Sequence, residues 1–483
     1  MHHLFSCITE KGNIYTINKN KKTLFLTHPQ LLPYLYNVDN QSKSEDYYAQ
    51  KAKYLRKHKI LDSIDHTYDG VMTPNAIKKS LANLHQLVFE VTDACNLRCK
   101  YCGYGELYGN YDVRHSRLMR FEEAKAIIDY LIGIWNNSVQ EFTTKTIFFS
   151  FYGGEPLLNM KLIKEVVSYV EKLHIPNRNI AYSMTTNAML LDYHMEYLVE
   201  KKFHLLISLD GNEWNNSYRI TPDGQNSYYQ NIKHVDCLNK KYPQYFEKYV
   251  NFNAVLHNRN SIDEINSFMK ERYGKQPRIS PLSTAGIRTE KKEAFYQMYR
   301  NMSQNLRQSK NYEKYLDEMF INTVEYADTC LFLQQYNGNV YRTYNDLFST
   351  SKAFNFIPTG TCIPFSRKLF VTVNGKVLPC EKIGHQYGLG YIHKTGSIEL
   401  DYEKITNVYN RYYEKLRNLC KTCYRVDSCD RCMFTIENLH TQESIKCPDF
   451  MDKEEFTKHA SKIITFMEKH SQSYERITEV VVF

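Results

Sequence analysis

The sequence predicts an α/β protein organised around a parallel sheet. Between about residues 85 and 325, short apolar runs alternate with stretches of helical periodicity. Repeated strand–helix units of this kind form parallel strands joined by right-handed crossovers. Six such units follow one another, and six fit a partial (β/α)6 barrel, an open version of the TIM barrel.

The predicted elements alternate regularly along this stretch. Strands are expected over 87–91, 146–152, 180–185, 205–209, 250–256 and 278–282. Helices are expected over 121–137, 160–174, 191–202, 228–240 and 262–273. Two further helical stretches, 291–307 and 312–326, predict a connector after the barrel.

The first 85 residues predict a separate, small α+β domain. Runs 13–18 and 23–27 flank turn-forming residues and predict a hairpin, with helices near 29–36 and 45–60. A hairpin edge can bind a peptide by strand addition, and a packing role is the alternative. At the other end of the chain, a helix over 453–470 and a short β-type tail over 478–483 are expected.

Composition argues against several classes of protein. A net charge of +9 on 483 residues gives only a mild positive field, and no nucleic-acid-binding motif is present. No signal peptide and no apolar run of about eighteen residues occurs, so we expect a cytoplasmic location and no membrane contact. Thiols stay reduced in that compartment, so clustered members of the thirteen cysteines indicate metal ligands rather than disulfides.

One short stretch carries the strongest chemical signal. Cys95, Cys99 and Cys102 are spaced C-x3-C-x2-C within eight residues. Three thiolates in one loop can hold three irons of a four-iron, four-sulfur cluster and leave the fourth iron open for chemistry. A zinc knuckle or three buried thiols are the alternatives, but structural zinc needs four ligands.

This pattern resembles the signature of the radical S-adenosylmethionine (radical SAM) superfamily. Tyr101 precedes the last cysteine, as that signature expects, and would belong to the cofactor site. The resemblance implies a 4Fe-4S cluster whose open iron binds SAM, and an electron transfer that splits SAM into methionine and a 5′-deoxyadenosyl radical. The protein would position the two groups and exclude side reactions.

Further polar segments follow the predicted strands, where α/β barrels carry their sites. The segment Gly153-Gly154-Glu155-Pro156 follows the second strand, and by resemblance it binds the methionine end of SAM, with Glu155 accepting from the amino group. Ser208 and Arg219 are candidates for the SAM carboxylate. Asn187 and Asp210 are candidates for the ribose hydroxyls or for shaping the rim. Turn capping and surface ion pairs are the alternatives for Ser208, Asp210 and Arg219.

A second group of seven cysteines lies between residues 362 and 447. Its spacing is Cys362-x12-Gly375-x4-Cys380, then Cys420-x2-Cys423-x5-Cys429-x2-Cys432, then Cys447. This resembles the auxiliary-cluster domain called SPASM, found on radical SAM enzymes that modify peptides and proteins. Two residues, Asp430 and Arg431, separate Cys429 from Cys432, where the family pattern usually has three.

The resemblance implies two auxiliary 4Fe-4S clusters. The outer one would use Cys420, Cys423, Cys429 and Cys447, and the inner one Cys362, Cys380 and Cys432. The fourth inner ligand stays open between Cys330 and, preferably, a free or non-cysteine position. A zinc ribbon is the alternative for the whole group.

The residue after Cys380 supplies a candidate catalytic group. Related protein-modifying enzymes carry an acidic residue at this position, and Glu381 is therefore the candidate general base. The alternative is a carboxylate that only hydrogen-bonds near the cluster.

These features lead to one main interpretation and two rivals. The chain is predicted to be a radical SAM/SPASM maturase that cross-links a ribosomally synthesised precursor peptide. The predicted domains are a possible leader-binding element at 1–85, the barrel at 86–325, the cluster domain at 326–450 and a C-terminal helix and tail at 451–483. A reductant such as flavodoxin or ferredoxin would supply electrons. The rivals are an anaerobic sulfatase-maturating, formylglycine-generating type of enzyme and a non-catalytic cluster-bearing scaffold.

Overall fold

The computed structural model describes residues 3–36, 46–63, 66–138, 145–175, 177–336, 356–441 and 443–479. The strands in these ranges are β1 (Leu4–Ile8), β2 (Ile14–Asn18), β3 (Thr23–Leu26), β4 (Gln86–Thr92), β5 (Thr146–Gly153), β6 (Asn179–Thr186), β7 (His204–Ser208), β8 (Val250–Leu256), β9 (Arg278–Pro281), β10 (Lys368–Val371), β11 (Lys376–Leu378), β12 (Gly390–Ile392) and β13 (Ile398–Glu399).

The helices are α1 (Leu32–Tyr36), α2 (Tyr47–Lys57), α3 (Pro74–Ala82), α4 (Phe121–Asn137), α5 (Met160–Val170), α6 (Leu191–Glu200), α7 (Tyr228–Lys241), α8 (Pro243–Tyr249), α9 (Ile262–Tyr273), α10 (Lys292–Met298), α11 (Met302–Arg307), α12 (Tyr312–Met319), α13 (Val324–Tyr336), α14 (Tyr402–Thr422), α15 (Lys453–Lys469) and α16 (Tyr474–Thr478). None of these helices has the length and apolar character needed to cross a membrane.

The predicted parallel sheet is present. Strands β4 to β9 pair in sequence order, and every one of these pairs is parallel. Six of the seven residues of β4 are buried, which explains why its sequence is a nearly continuous apolar run. The sheet does not close on itself, since it ends at β9 on one side and at β13 on the other. The α/β fold with a partial barrel is therefore confirmed.

The sheet is larger than the sequence predicts. Strand β10 pairs in parallel with β4, and β11, β12 and β13 continue from it in antiparallel order, which gives ten strands. For this reason the segment Cys362–Thr406 groups with Thr73–Glu318 in one compact unit. The predicted boundary at residue 326 therefore separates segments that belong to one sheet. The sequence did not reveal this connection, because strands as short as β11 show too little periodicity to be recognised.

A second compact unit combines Met1–Met72, Met319–Thr361 and Asn407–Phe483. Its three-stranded antiparallel sheet has the order β1-β2-β3, so the predicted hairpin is accompanied by a strand, β1, that the sequence did not predict. Leu4 packs with side chains of α1 and α2, such as Leu35 and Leu55. Phe5 packs with Phe456 of α15 and other buried side chains. Both faces of the small sheet are therefore covered.

Some predicted helices are interrupted for visible local reasons. The helix expected over 291–307 is two helices, because Asn301 caps a new one by accepting from the Gln304 N–H. The helix expected over 312–326 ends at Met319, and α13 begins after Thr323. Part of the predicted tail over 478–483 lies outside the described residues, and Thr478 itself closes a short helix.

Candidate functional site

An open cavity lies at the carboxyl ends of the parallel strands β4 to β9, in the compact unit that contains them. Its walls bring together residues from the cysteine loop, from the Gly153-Gly154 turn and from the ends of β6 to β9. The predicted site residues that line it are Cys95, Cys99, Tyr101, Cys102, Gly153, Gly154, Glu155, Asn187, Ser208, Arg219 and Glu381. Apart from Asp210 and the second cysteine group, this is the whole of the predicted site.

The cysteine loop is fixed by backbone hydrogen bonds. The Gly154 N–H donates to the Thr92 carbonyl and the Glu155 N–H to the Ala94 carbonyl, both at 2.9 Å. The Leu97 N–H points at the Cys95 Sγ atom, 3.4 Å away. Burial raises the pKa of Cys95 to about 11 and that of Cys99 to about 12, so these thiols need a positive partner, such as iron, to become thiolates.

The two glycines of the turn are required by this loop. A Cβ atom on Gly154 would lie 2.0 Å from the Ala94 carbonyl oxygen, and one on Gly153 would lie 2.2 Å from that of Thr92. Gly153 also has a φ of +139°, which side chains disfavour. The turn that is predicted to bind the methionine end of SAM therefore also packs closely against the segment that carries Cys95.

Glu155 is a buried carboxyl in the cavity wall. Its Oε1 accepts from the Thr186 hydroxyl at 2.7 Å and from the Leu157 N–H at 3.1 Å, and its Oε2 accepts from the Asn187 N–H at 2.8 Å. Burial raises its pKa to about 7 in spite of these donors. Oε2 has capacity for a further donor, and a cationic donor is favoured because it would offset the buried charge.

The structure does not bring Asp210 to the cavity wall. This residue is fully buried, and its Oδ1 accepts from Arg219 and from the Val255 N–H, while Oδ2 accepts from the Tyr101 hydroxyl. Burial alone would raise its pKa, but Arg219 and His257 lower it to about 2. Asp210 therefore positions the Arg219 and Tyr101 side chains, and its lone pairs are not offered to a ribose.

Arg219, Asn187 and Ser208 do line the cavity. The Nη2 atom of Arg219 pairs with Asp210 at 2.9 Å, while its Nε atom is buried without a hydrogen-bond partner. The Asn187 amide donates to the Asn96 side chain at 2.8 Å, which orients it beside the cysteine loop. An unpaired buried N–H donor in this wall fits an anionic ligand group such as a carboxylate.

Glu381 reaches the same cavity from the loop after β11. Lys368 donates to its Oε1 at 2.7 Å, and Cys380 Sγ lies 3.5 Å from its Oε2. Burial would raise the pKa of Glu381, but the Lys368 ammonium holds it below its usual range. The side chain is therefore a carboxylate, the form that accepts a proton.

Four cysteines of the second group surround a separate cavity in the other unit. Cys420, Cys423, Cys429 and Cys447, the predicted ligands of the outer cluster, all line it. The Met451 N–H points at the Cys423 Sγ atom, 3.5 Å away, and Arg425 lies in the same wall. A Cβ on Gly360 would lie 2.1 Å from the Cys429 carbonyl oxygen, so this approach also requires glycine.

The remaining predicted ligands are divided between the units. Cys362 and Cys380 belong to the barrel unit and Cys432 to the other, so the inner cluster stays a prediction. Cys330 is 2% exposed within α13. Cys7, outside both cysteine groups, is buried in an apolar cluster.

The three cysteines that line the barrel cavity suit a four-iron cluster. Nowhere in the described ranges do three His, Cys, Asp or Glu side chains converge closely enough to hold one metal ion. The irons of a four-iron cluster occupy separate corners, so its thiolates surround a volume. Three cysteines around the barrel cavity, with an unpaired Arg219 N–H beside them, fit a cluster together with SAM.

Sequence reasoning missed several residues of the barrel cavity. Tyr104, Tyr108, Tyr111, Arg114 and Tyr152 line it as well. Tyr152 lies on β5 directly before the glycine turn, so its position at a strand end was a usable signal. The others lie in the irregular segment after Cys102, where no periodicity assigns a side chain to the cavity.

Comparisons with known proteins agree with this geometry. Residues 89–271 match the Radical SAM superfamily. The cysteine-type anaerobic sulfatase-maturating enzyme of Clostridium novyi (strain NT) is 26% identical over 394 residues, 79% of this chain and 97% of that protein. The radical SAM cyclopropyl synthase TigE of Paramaledivibacter caminithermalis is 29% identical over 184 residues, 37% of this chain and 36% of that protein.

A solved structure shares the fold. Native anSMEcpe with bound AdoMet and Cp18Cys peptide superposes with a TM-score of 0.53 at 20% sequence identity, over 83% of this chain and 99% of that one. The named relatives are enzymes, so the scaffold alternative is set aside. The site at the strand ends and these similarities lead to one conclusion: the protein is an enzyme with a radical SAM domain, related to the anaerobic sulfatase-maturating enzymes.

Proposed function

We propose that this enzyme is a radical SAM maturase that modifies a ribosomally synthesised precursor peptide. Its N-terminal sheet would hold the leader segment, and the barrel would install a thioether or carbon–carbon cross-link in the core segment. A reductant such as flavodoxin or ferredoxin would supply the electrons, and two auxiliary clusters would accompany the SAM-binding one.

The observation that carries the peptide proposal is the edge of β3. Among the described residues this strand pairs with β2 alone. The Thr27 N–H donates to Ile14, so by the alternation of an antiparallel ladder the N–H groups of Leu24 and Leu26 face the other edge. Leu26 is 65% exposed, which leaves an apolar side chain beside this edge. An extended leader can add to such an edge as a further strand.

The residues of the barrel cavity have distinct proposed tasks toward the cofactors. When bound, a reduced cluster and SAM supply a 5′-deoxyadenosyl radical. Cys95, Cys99 and Cys102 hold the cluster. Glu155 accepts from the SAM amino group, and Arg219 donates its free Nε–H to the SAM carboxylate.

Glu381 is the proposed base, and its replacement gives a clear prediction. In Glu381→Gln, hydrogen abstraction should continue while proton removal fails, because an amide does not accept the proton. We expect 5′-deoxyadenosine to form at a rate near that of the wild type and modified peptide to fall about 10²- to 10⁴-fold. Quantitative mass spectrometry of both products measures the two rates.

Glu399→Gln is the matched control, since Glu399 pairs with Lys404 on the surface of the same unit. It should leave both products unchanged. Equal loss of 5′-deoxyadenosine and peptide product in Glu381→Gln would instead make Glu381 a structural residue.

The proposed function is tested with reduced, reconstituted full-length enzyme. Incubation with SAM should yield 5′-deoxyadenosine, and co-expression with a small peptide encoded beside this gene should change the mass of that peptide. Leu26→Pro removes an edge N–H without removing a bond to β2, so it should weaken leader binding by roughly tenfold. Leu26→Val, which keeps the N–H, should bind like the wild type.

Two results would refute the proposal. The absence of 5′-deoxyadenosine above background removes the radical chemistry. An unchanged affinity of Leu26→Pro for the leader removes strand addition at β3.

A second candidate function follows from one comparison. The similarity to the Clostridium novyi sulfatase-maturating enzyme spans 97% of that protein, so oxidation of a residue in a sulfatase is the rival activity. A sulfatase-derived peptide incubated with the enzyme separates the two. Conversion of that peptide, with no change in the peptide encoded nearby, would favour the rival.

A further inference from the structure

Two arginines line the barrel cavity, and they differ in their partners. Arg219 forms an ion pair with Asp210. Within the described part of the chain no acidic group pairs with Arg114, and its Nε and Nη2 atoms are buried without a hydrogen-bond acceptor. Buried N–H donors without an acceptor are costly, so a cavity wall that keeps two of them on one half-buried guanidinium is suited to an anionic ligand.

The Arg114 side chain is held in a defined orientation. The centre of its guanidinium lies 4.1 Å from the centroid of the Tyr104 ring, as in a cation–π contact. Tyr104 packs in turn against Tyr111, with ring centroids 4.9 Å apart. The face of the guanidinium is therefore occupied by an aromatic ring, while its edge is left for hydrogen bonding.

The backbone around Arg114 is fixed on both sides. The Asp112 N–H points at the His385 Nδ1 atom, 3.2 Å away, and Lys376 pairs with the Asp112 carboxylate at 2.6 Å. The buried carboxylate of Asp93 accepts from the His115 N–H at 2.8 Å and from the Arg117 N–H at 2.5 Å. Such anchoring places Arg114 before a ligand arrives, which reduces the entropy lost on binding.

Glu90 is a buried acidic group whose pKa the charge of Arg114 acts to lower, but the described residues show no ion pair between these two side chains. Its Oε2 accepts from the Val373 N–H at 2.9 Å. Burial raises the pKa of Glu90 to about 7, although Val373 and the charge of Arg114 act in the opposite direction. The positive charge of Arg114 is therefore not neutralised by a direct ion pair.

We propose that Arg114 binds a carboxylate of the bound substrate, from an Asp or Glu side chain or the C-terminus of the peptide. The two unpartnered atoms, Nε and Nη2, lie on one edge of the guanidinium, and that edge matches the two oxygens of a carboxylate. Glu381, the proposed base, lines the same cavity as Arg114, so the bound carboxylate would share the cavity with that base. This inference rests on the proposed function, because it names a feature of that substrate.

The SAM molecule also carries a carboxylate, so the test has two arms. The first measures binding of N-acetyl-glutamyl-amide and N-acetyl-glutaminyl-amide to the reconstituted full-length enzyme by ligand-observed NMR. We expect the wild type to prefer the Glu probe by roughly 10- to 100-fold and Arg114→Met to lose that preference. The second arm compares SAM with decarboxylated SAM, and both should bind Arg114→Met as they bind the wild type.

Stability provides a readout that does not depend on ligands. Arg114→Met removes two buried N–H donors that have no acceptor, so the ligand-free variant should melt no lower than the wild type. Arg178→Met is the matched control, because Arg178 donates to the Leu84 and Ala82 carbonyls and its loss should lower the Tm. If Arg114→Met does not fold, Arg114→Lys keeps the charge, lacks the bidentate edge and should retain only part of the preference.

Each outcome decides the question. Equal binding of the Glu and Gln probes to the wild type overturns the proposal, and so does a preference that survives in Arg114→Met. Weaker binding of SAM, but not of decarboxylated SAM, would assign the guanidinium to the cofactor and overturn its substrate role. SAM cleavage is measured in parallel: cleavage without a Glu preference leaves the proposed function standing, and a Glu preference without cleavage refutes that function alone.

Discussion

Cys99→Ala is expected to reduce SAM cleavage to background while leader binding stays close to that of the wild type. Cys99 is one of three thiols around the barrel cavity, and two thiolates do not hold a cluster with one open iron. The edge of β3, the proposed site of leader binding, lies in a different compact unit of the chain. Iron analysis should show about four fewer iron atoms per chain than in the wild type.

Cys237→Ala is the control for this variant. Cys237 is a partly buried thiol on α7, outside both cysteine groups, and its removal should leave iron content and cleavage unchanged. Unimpaired 5′-deoxyadenosine formation by Cys99→Ala would contradict the assignment of the cluster. Loss of leader binding as well would show that the two sites are not independent. Wild-type protein that is colourless and contains zinc in place of iron would also contradict the assignment of the cluster.

Gly154→Ala is expected to inactivate the enzyme although it changes none of the cysteines that are proposed to bind iron. The added methyl group would lie 2.0 Å from the Ala94 carbonyl oxygen, so the segment leading to Cys95 must move. The cost is about 1–3 kcal/mol of folding free energy, and SAM cleavage should fall at least tenfold because a thiolate is displaced. Chemical denaturation and the 5′-deoxyadenosine assay measure the two effects.

Gly133→Ala is the matched control for the glycine change. Gly133 lies inside α4, and a methyl group there would meet no atom within 4 Å. Alanine is the better helix former, so this variant should be stabilised by about 0.5–1 kcal/mol and should cleave SAM normally. An active Gly154→Ala with an unchanged Tm would mean that the turn tolerates the methyl group and that the contact with Ala94 does not position Cys95.

Periodicity was sufficient for the barrel because its strands are buried and its helices amphipathic. The predicted bounds of β8 and α9 agree with the structure residue for residue. The cavity residues that follow β4, β5, β6 and β7 were predictable for the same reason, since a parallel sheet places all its carboxyl ends together. Position at a strand end thus identified Glu155, Asn187 and Ser208 before any contact was known.

The parts that escaped prediction depend on long-range contacts. Asp210 sits at a strand end like its neighbours, but its orientation is set by Arg219 and by the Val255 N–H, which no local pattern reveals. Arg114 lies in a segment whose path is fixed by Asp93, Lys376 and His385. The pairing of β10 with β4 joins segments far apart in the chain, and a four-residue strand carries too little periodicity to suggest it.

That pairing has a consequence for dissecting the enzyme. Strand β4 leads directly into the cysteine loop, and its outer edge is covered by β10. A protein truncated to the residues that match the superfamily would lack β10, so the backbone groups at this edge of β4 would be unpaired. Unpaired strand edges promote intermolecular association. The segment that bears Cys380 and Glu381 follows β10 and β11 of the same sheet, so we expect a protein engineered without that segment to expose the edge of β4 and to self-associate.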